Sequence, residues 1–174
     1  HYTSNVDNSI WINGVSDIKE DALGNLFLKR YTDYMVYLRI KDNFIYVVDY
    51  LKSIGFNVCK ESPVKVEIDR KGNLWMTYAN GLYYYDIHTK KKIYYNIRNI
   101  DDVRAAQNGV YILCKNGVIL GISRHGTISI VDKSFVSICV KRGLKYMSLL
   151  VDGQNRLWVY SAVVGTGIFY QGDN

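Results

Sequence analysis

A short turn motif that recurs along the chain constrains its fold more than any other feature. In the clearest copy, Asp69 is followed by Arg-Lys-Gly-Asn-Leu and then by Trp75. The same kind of turn runs from Asp21 to Phe27, and the copy from Asp152 to Trp158 has an asparagine in place of the glycine. A turn repeated at intervals of about 40–50 residues indicates a modular architecture in which each module is one small supersecondary unit.

The module around Trp75 is predicted to contain four strands connected by three hairpins. Its apolar runs cover residues 64–68, 74–78, 82–85 and 93–97. Asn80-Gly81 is a strong hairpin signal, because glycine accepts the positive φ that two-residue hairpin loops require. The Asp69 carboxylate can accept hydrogen bonds from the backbone of its own turn, which gives this residue a structural rather than a catalytic role.

Together the modules predict an all-β chain of about four antiparallel β-propeller blades with four strands each. Short runs of Tyr, Val, Ile and Leu alternate with tight turns, the chain has one proline, and no segment shows clear helical periodicity. A weaker third module, from Asn108 to Val118, keeps the turn–strand–turn rhythm without the aspartate. The approximate blades are residues 17–57, 64–97, 101–133 and 137–170, with residues 8–13 as a strand of a preceding or ring-closing blade.

An aromatic residue begins the second strand of each predicted blade. The residues at this position are Phe27, Trp75, Tyr111 and Trp158. Because an aromatic side chain buries a large apolar area, a ring repeated at one structural position suits the space between neighbouring blades. We therefore interpret these four residues as core residues and not as ligand contacts.

The ends of the chain are compatible with two arrangements. In the first, the strand at residues 8–13 supplies the missing fourth strand of the last blade and closes a small ring. In the second, residues 1–174 are a single segment of a larger propeller. Four blades lie at the small end of the known range, and the chain begins with His1 rather than Met, so we expect the second arrangement.

Composition and charge argue against a membrane span and a nucleic-acid partner. No run approaches the roughly 18 consecutive apolar residues that a spanning helix requires. The formal net charge is +6, but the only cationic run, Lys90 to Lys92, lies in a predicted hairpin turn. Binding to phosphates requires clustered cations, so we predict no nucleic-acid partner.

Residues with catalytic or metal-binding chemistry are scattered. Cys59, Cys114 and Cys139 form no C-x-x-C pair and are interpreted as buried strand residues, although an oxidising compartment would allow one disulfide. The three histidines lack metal-ligand spacing, so we predict no metal and no other cofactor. Asp101-Asp102 suits a turn or a strand end, no nucleophile or phosphate-loop motif occurs, and we predict no catalytic residues.

A ligand site is predicted on the loops of one rim of the blades. The loops after each second strand, and the links between blades, usually share one face of a propeller. The candidate ligand-binding residues there are Arg30, Tyr31, Tyr78, Arg98 and Asn99. Aromatic faces stack on the C–H surfaces of sugars, and Arg and Asn hydrogen-bond to hydroxyl groups. An exposed loop position or a packing role within the blade is the alternative for each residue.

The repeated pattern resembles the two-component-regulator propeller repeat. The resemblance is best from Ile68 to Tyr85, where Asp-x-x-Gly-Asn-Leu-Trp is followed six residues later by Gly-Leu-Tyr, and weakest from Asn108 to Val118. Departures from the pattern include Phe27 in place of tryptophan and Asn155 in place of glycine. That repeat builds the periplasmic sensor regions of hybrid two-component systems in gut Bacteroidetes, which generally carry two seven-bladed propellers and an immunoglobulin-like domain before the membrane span.

The resemblance implies a function for the chain. It implies a non-catalytic periplasmic segment of an inner-membrane sensor histidine kinase that responds to oligosaccharides. The implied partners are an oligosaccharide ligand, the remaining sensor propellers and a second copy of the parent protein in a homodimer. Two alternatives are a propeller that acts as a protein-interaction scaffold and a propeller lyase or hydrolase, whose carboxylates could come from distant positions in the sequence.

Overall fold

A computed structural model describes residues 15–20, 24, 26–30, 35–41, 44–49, 63–144, 147–161 and 170–171 of the chain. The chain divides into two compact units, residues 1–63 and residues 64–174, and each is described by itself. The fold of both units is dominated by antiparallel strands, which confirms the predicted all-β class.

The first unit contains one four-stranded sheet. Its strands are β1 (Val15–Glu20), β2 (Leu26–Arg30), β3 (Met35–Lys41) and β4 (Phe44–Asp49), which pair in that order. Phe27 and Leu28 of β2 are buried. The prediction that Phe27 is a core residue is therefore confirmed.

The second unit contains three sheets in succession. The first consists of β5 (Lys65–Ile68), β6 (Leu74–Tyr78), β7 (Gly81–Tyr85) and β8 (Lys92–Tyr95), and the second of β9 (Ile100–Ala106), β10 (Gly109–Cys114), β11 (Ile119–Ser123) and β12 (Ile128–Asp132). The third consists of β13 (Met147–Val151), β14 (Leu157–Ser161) and β15 (Tyr170–Gln171). Consecutive strands pair within each sheet, as the hairpin signals predict.

The hydrophobic core of the second unit lies between adjacent sheets. One cluster of buried residues joins Trp75 and Leu82 of the first sheet to Val110 and Ile112 of the second. Another cluster joins the second sheet to the third, and Tyr111 packs against it. The inter-sheet packing predicted for Trp75 and Tyr111 is thus confirmed.

A helix separates the second sheet from the third. Helix α1 (Phe135–Arg142) buries Phe135 and Cys139 and ends at Gly143, which has a φ of 59°. The next described strand begins at Met147. Cys139 is buried, as predicted, but it lies in a helix and not in a strand. The boundaries predicted for the fourth blade, residues 137–170, stay a prediction.

The two described cysteines carry free thiols. Cys114 is half-buried in β10, and Cys139 is buried in α1. Burial raises the pKa of both thiols, and the nearby Asp101 carboxylate raises them further. Cys59 lies outside the described residues.

Gly81 is required for two reasons. It has the positive φ that the sequence predicts, at 158°. A Cβ atom at this position would lie 2.6 Å from the Tyr94 ring and 2.7 Å from the Tyr95 carbonyl oxygen. Glycine is also needed because strand β8 approaches the hairpin closely.

A buried network of charged side chains links the first strands of the three sheets. Asp102 of β9 is fully buried, and its carboxylate lies 2.9 Å from the Lys65 Nζ on β5 and 3.1 Å from an Arg104 guanidinium nitrogen. The same carboxylate accepts a hydrogen bond from the Leu149 backbone N–H of β13, at 2.9 Å. We refer to Lys65, Glu67, Asp102 and Arg104 as the inter-sheet network.

Arg104 and Glu67 complete the network. The Arg104 Nε donates to the Leu149 carbonyl oxygen at 2.7 Å, and an Arg104 guanidinium nitrogen lies 3.4 Å from a Glu67 carboxylate oxygen. Glu67 also accepts a hydrogen bond from the Ala105 N–H at 3.2 Å. These side chains therefore connect strands of different sheets, which share no backbone ladder. Asp102 thus does more than occupy a turn or a strand end, since its carboxylate joins three strands from three sheets.

Candidate functional site

The structure places three of the predicted ligand-binding residues. Tyr78 is buried at the end of β6, where its ring packs edge-on against Tyr83 with a centroid distance of 5.3 Å. Arg98 and Asn99 are exposed in the link between β8 and β9. Tyr78 therefore packs within the sheet, as the alternative for this residue predicts, and a binding role for Tyr78, Arg98 and Asn99 stays a prediction.

The other two predicted residues lie in the first unit. Arg30 is the last residue of β2, and its side chain lies outside the described part of the structure. Tyr31 lies outside the described residues altogether. Ligand binding by this pair also stays a prediction.

A cleft of about 560 Å³ lies at the opposite end of the strands from Arg98 and Asn99. It is located between the first and second sheets of the second unit. The turn after β5, the turn after β7 and the turn after β11 contribute to its walls. Its volume lies within the range of roughly 300–1,000 Å³ that is typical of small-molecule sites.

The repeated turn motif builds one side of the cleft. Asp69 accepts hydrogen bonds from the Lys71 and Asn73 N–H groups at 2.8 and 3.0 Å, which confirms its predicted structural role. The buried Asn73 side chain donates to Asp69 at 3.0 Å and accepts from the Ile87 N–H at 3.3 Å. The motif asparagine therefore joins the turn after β5 to the turn after β7 and holds both at the cleft.

Aromatic rings form a wall of the cleft. The Trp75 ring lies 4.5 Å from that of Tyr84 and 6.0 Å from that of Tyr95, measured between centroids. Burial, together with the Asp86 and Asp69 carboxylates, raises the pKa of Tyr84 to about 12. Burial also raises the pKa of Tyr95. Both phenols therefore keep their protons at neutral pH and can donate hydrogen bonds.

The rim of the cleft carries positive charge. Four cationic side chains line it against two carboxylates, those of Asp69 and Asp86. The cationic residues are Arg70, Lys71, Lys91 and Arg124. His88 and His125 also line the cleft, and the His88 Nε2 lies 3.3 Å from the Lys71 carbonyl oxygen. The site thus combines aromatic surface, hydrogen-bond donors and an excess of cations.

Both carboxylates at the cleft are directed toward backbone donors. Asp86 accepts hydrogen bonds from the His88 and Thr89 N–H groups, each at 2.9 Å. The bond from Thr89 is the main cause of the lowered pKa of Asp86. A carboxyl group with a lowered pKa is unsuited to general-acid catalysis at neutral pH, where a raised pKa is needed.

The indole of Trp75 differs from that of Trp158 in its hydrogen bonding. The Trp158 Nε1 donates to the Asp152 carboxylate at 3.0 Å, and Arg156 binds the same oxygen at 2.6 Å. The Trp75 Nε1 is buried, and among the described residues it has no hydrogen-bond partner. The equivalent carboxylate of Asp69 is occupied by Asn73 instead.

The pair of tryptophans makes a pH-dependent prediction. Burial acts to raise the pKa of Asp152, but hydrogen bonds from Trp158, Arg156 and Gln154 outweigh it and hold the pKa well below its usual value. A lowered pKa in the folded state stabilises the chain above the pKa of the unfolded state, about 4, and this stabilisation is lost as the pH falls. Trp158→Phe removes one of these bonds. We therefore expect its stability deficit relative to wild type to narrow as the pH falls below about 4 toward the lowered pKa of Asp152.

The measurement is urea denaturation of wild type and variant at pH 7, 4 and 2. Trp75→Phe is the matched control, since it deletes the same atoms without removing a hydrogen bond to a carboxylate. Its deficit should stay constant over this pH range. Parallel pH profiles for the two variants would show that the Trp158 indole does not stabilise the ionised Asp152.

The described residues contain no group of three or more His, Cys, Asp or Glu that could hold a metal ion. The cleft residues are suited to binding through stacking, hydrogen bonds and charge, because aromatic rings, phenol hydroxyls and cations line it together. Sequence reasoning missed this cleft, because it directed the search for a ligand to the irregular loops. A usable signal was present: hairpin turns after the first and third strands of a blade must lie at one end of the sheet.

Comparisons with known proteins show the fold. No protein-family model matches the chain, and no curated protein matches it. The extracellular domain of the putative hybrid two-component system BT4673 from B. thetaiotaomicron has a TM-score of 0.54 at 16% identity, over 86% of this chain and 20% of that one. YCF48 from Cyanidioschyzon merolae has a TM-score of 0.59 at 14% identity, over 94% of this chain and 52% of that one.

The N-terminal domain of Nup159 is similar in fold as well, with a TM-score of 0.54 at 10% identity, over 91% of this chain and 47% of that one. The chain therefore spans about half or less of the length of these structures. Their folds are β-propellers, and the predicted fold class, an all-β chain of propeller blades, is confirmed. The helix that the structure describes is too short to cross a membrane.

Proposed function

We propose that the chain is a ligand-binding propeller segment in the periplasmic sensor region of a membrane-bound hybrid two-component kinase. In this proposal the segment itself is non-catalytic, and binding of an oligosaccharide in the cleft is the event that is sensed. The propeller fold, which the chain shares with the extracellular domain of a putative hybrid two-component system, supports the architecture. The turn motif supports the same assignment.

The cleft between the first two sheets of the second unit is the observation that carries the proposal. Its aromatic wall offers Tyr84, which is partly exposed, as a stacking surface for a sugar ring. Phenol hydroxyls, imidazole N–H groups and guanidinium groups supply donors for hydroxyl oxygens around that surface. This combination of apolar wall and convergent polar groups is characteristic of small-ligand sites.

The position of the cleft offers a route from binding to a signal. Its walls belong to two successive sheets, and the same two sheets are joined by the inter-sheet network at their first strands. A ligand that contacts both walls binds differently when the angle between the sheets changes. Ligand binding therefore shifts the population of sheet arrangements, which is the thermodynamic requirement for sensing.

The proposal predicts that the full chain binds at least one oligosaccharide from a panel of neutral and acidic plant and host glycans. Calorimetric titration measures the binding, and thermal unfolding confirms that each variant is folded. Tyr84→Ala should weaken binding about tenfold or more, because it removes the stacking surface and a phenolic donor. Tyr160→Ala is the matched control, since Tyr160 lies in an exposed position on β14.

A panel that gives no heat with the wild-type chain would overturn the proposal. An equal loss of affinity in the two tyrosine variants would place the ligand elsewhere. The membrane-bound kinase context is tested separately by the full gene sequence. A reading frame that lacks a membrane span and a kinase domain contradicts that part of the proposal.

A further inference from the structure

The cleft carries unpaired positive charge, and this excess indicates the class of ligand. We infer that the cleft binds an acidic oligosaccharide, one whose sugar rings carry carboxylate or sulfate groups. This inference rests on the proposed function. The inference depends on which charges at the rim are already neutralised within the protein. Three observations support it.

First, the cations of the rim are free to bind a ligand. Arg70, Lys71 and Lys91 are exposed, and none of their side chains forms an ion pair within the described part of the chain. Long cationic side chains at a cleft that also contains carboxylates would usually pair with them if the geometry allowed it. The excess positive charge therefore remains available to an incoming anion.

Second, the two carboxylates of the cleft are occupied. Asp69 accepts two backbone N–H groups and the Asn73 side chain, and Asp86 accepts two backbone N–H groups. These bonds hold the carboxylates to their own turns. Among the described residues, the carboxylates therefore do not pair with the cations of the rim, which outnumber them four to two.

Third, Arg124 is held in place at the cleft. One terminal guanidinium nitrogen of Arg124 donates to the Gln107 carbonyl oxygen at 2.5 Å, across the neighbouring hairpin. The Arg124 backbone N–H also donates to the Asn108 carbonyl oxygen at 3.1 Å. A guanidinium group has five N–H donors, so most remain for a ligand, and the planar group matches a carboxylate or a sulfate. A positioned arginine loses less conformational entropy on binding than a mobile one.

The test compares ligands that share one sugar backbone and differ in whether their acidic groups are charged. The full chain is titrated with α-1,4-linked oligogalacturonate and with the fully methyl-esterified form of the same oligosaccharide. A sulfated oligosaccharide and its desulfated form make a second pair, which distinguishes sulfate from carboxylate as the source of the anion. We expect the charged member of at least one pair to bind about tenfold or more tightly than its neutral partner. Salt should weaken that preference.

Substitutions of single arginines then test whether the preference for the charged ligand arises in the cleft. Arg124→Gln should remove most of the preference for the acidic ligand and weaken binding of the neutral one much less, because the glutamine amide can still donate a hydrogen bond to a hydroxyl oxygen. Arg142→Gln is the control, because Arg142 is exposed in the last turn of α1 and does not line the cleft. Arg98→Gln tests the site that the sequence predicts on the opposite face.

The outcomes separate the inference from the proposed function. Equal binding of charged and neutral members in both pairs would overturn the inference, and the proposed function would stand. Loss of the preference in Arg98→Gln rather than in Arg124→Gln would overturn the placement in this cleft. Failure of every oligosaccharide to bind would overturn both.

Discussion

Asp102→Ala is expected to lower the free energy of unfolding by about 3–5 kcal/mol, which is the usual effect of removing one partner from a buried charged network. The carboxylate is fully buried and contacts Lys65, Arg104 and the Leu149 N–H. Its loss leaves a largely buried guanidinium group without one of its anions and a backbone N–H without its acceptor. The Leu149 N–H then stays desolvated without its acceptor, while Arg104 keeps only the Glu67 carboxylate and the Leu149 carbonyl oxygen as partners.

Two further variants separate the roles of the carboxylate. Asp102→Asn retains an acceptor for the Leu149 N–H but not the charge, so we expect a smaller loss of stability. Lys65→Met removes a cation that is about one-third exposed, 35% by side-chain area, and we expect a loss below about 1 kcal/mol. Denaturant titration gives these values. Hydrogen exchange at the Leu149 amide reports whether β13 separates from β9.

The inter-sheet network has a clear failure criterion. If Asp102→Ala remains within about 1 kcal/mol of wild type, the buried carboxylate does not hold the sheets together. If Asp102→Ala is too unstable to purify, Asp102→Asn and Lys65→Met can still be compared. That comparison shows whether the charge of Asp102 or the amine of Lys65 contributes more to stability. If Lys65→Met lowers the free energy of unfolding more than Asp102→Asn does, the main stabilising interaction lies at the exposed end of the network.

Gly109→Ala is expected to lower the unfolding free energy by about 3 kcal/mol or more. Gly109 begins β10, pairs with Ala106 and Ser123, and has a φ of 149°. A Cβ atom here would overlap the carbonyl oxygen of Ile122 on the neighbouring strand. The neighbour is backbone and cannot rotate away, so the paired strands must separate, and overpacking of this kind destabilises strongly.

Gly153→Ala is the control for Gly109→Ala. No heavy atom lies within 4 Å of the position that its Cβ would take. We expect a change of less than about 0.5 kcal/mol, the usual range for surface substitutions. Thermal and denaturant unfolding measure both variants. Similar stabilities for Gly109→Ala and wild type would mean that β10 and β11 are not packed as closely as described.

Local features of the sequence predicted the local structure well. Asp69 and Gly72 indicated the turn after β5, and the Asp69 hydrogen bonds follow from the motif itself. Asn80-Gly81 indicated the hairpin between β6 and β7. These features were predictable because each turn is determined by residues within about four positions of one another.

Helix α1 was missed because its residues are poor helix formers. Val136, Ile138 and Val140 are β-branched, and such residues favour strands in isolation. Lys141 and Arg142 before a glycine are typical of a helix C-terminus. The β-branched residues of the same segment nevertheless favoured a strand. Burial of Phe135 and Cys139, one turn apart, stabilises the helix, and that packing depends on residues distant in the sequence.

The inter-sheet network and the cleft depend on pairing over long distances. Asp102 contacts groups 37 and 47 positions away, at Lys65 and Leu149, and no local pattern specifies such partners. The cleft likewise needs the turns of two sheets to meet. A sequence repeat therefore predicts the strands and turns of each module. The contacts between modules can be identified only from the folded structure.

The same network has a consequence for the way a chain of this kind can lengthen during evolution. Asp102 and Arg104 of one module bind Lys65 and Glu67 of the module before it and the Leu149 backbone of the module after it. Stability is then approximately a sum of nearest-neighbour couplings. A duplicated module is accommodated where its first strand carries the acidic and basic partners that its new neighbours need. Copies that lose those partners mark the places where cooperativity along the array is weakest.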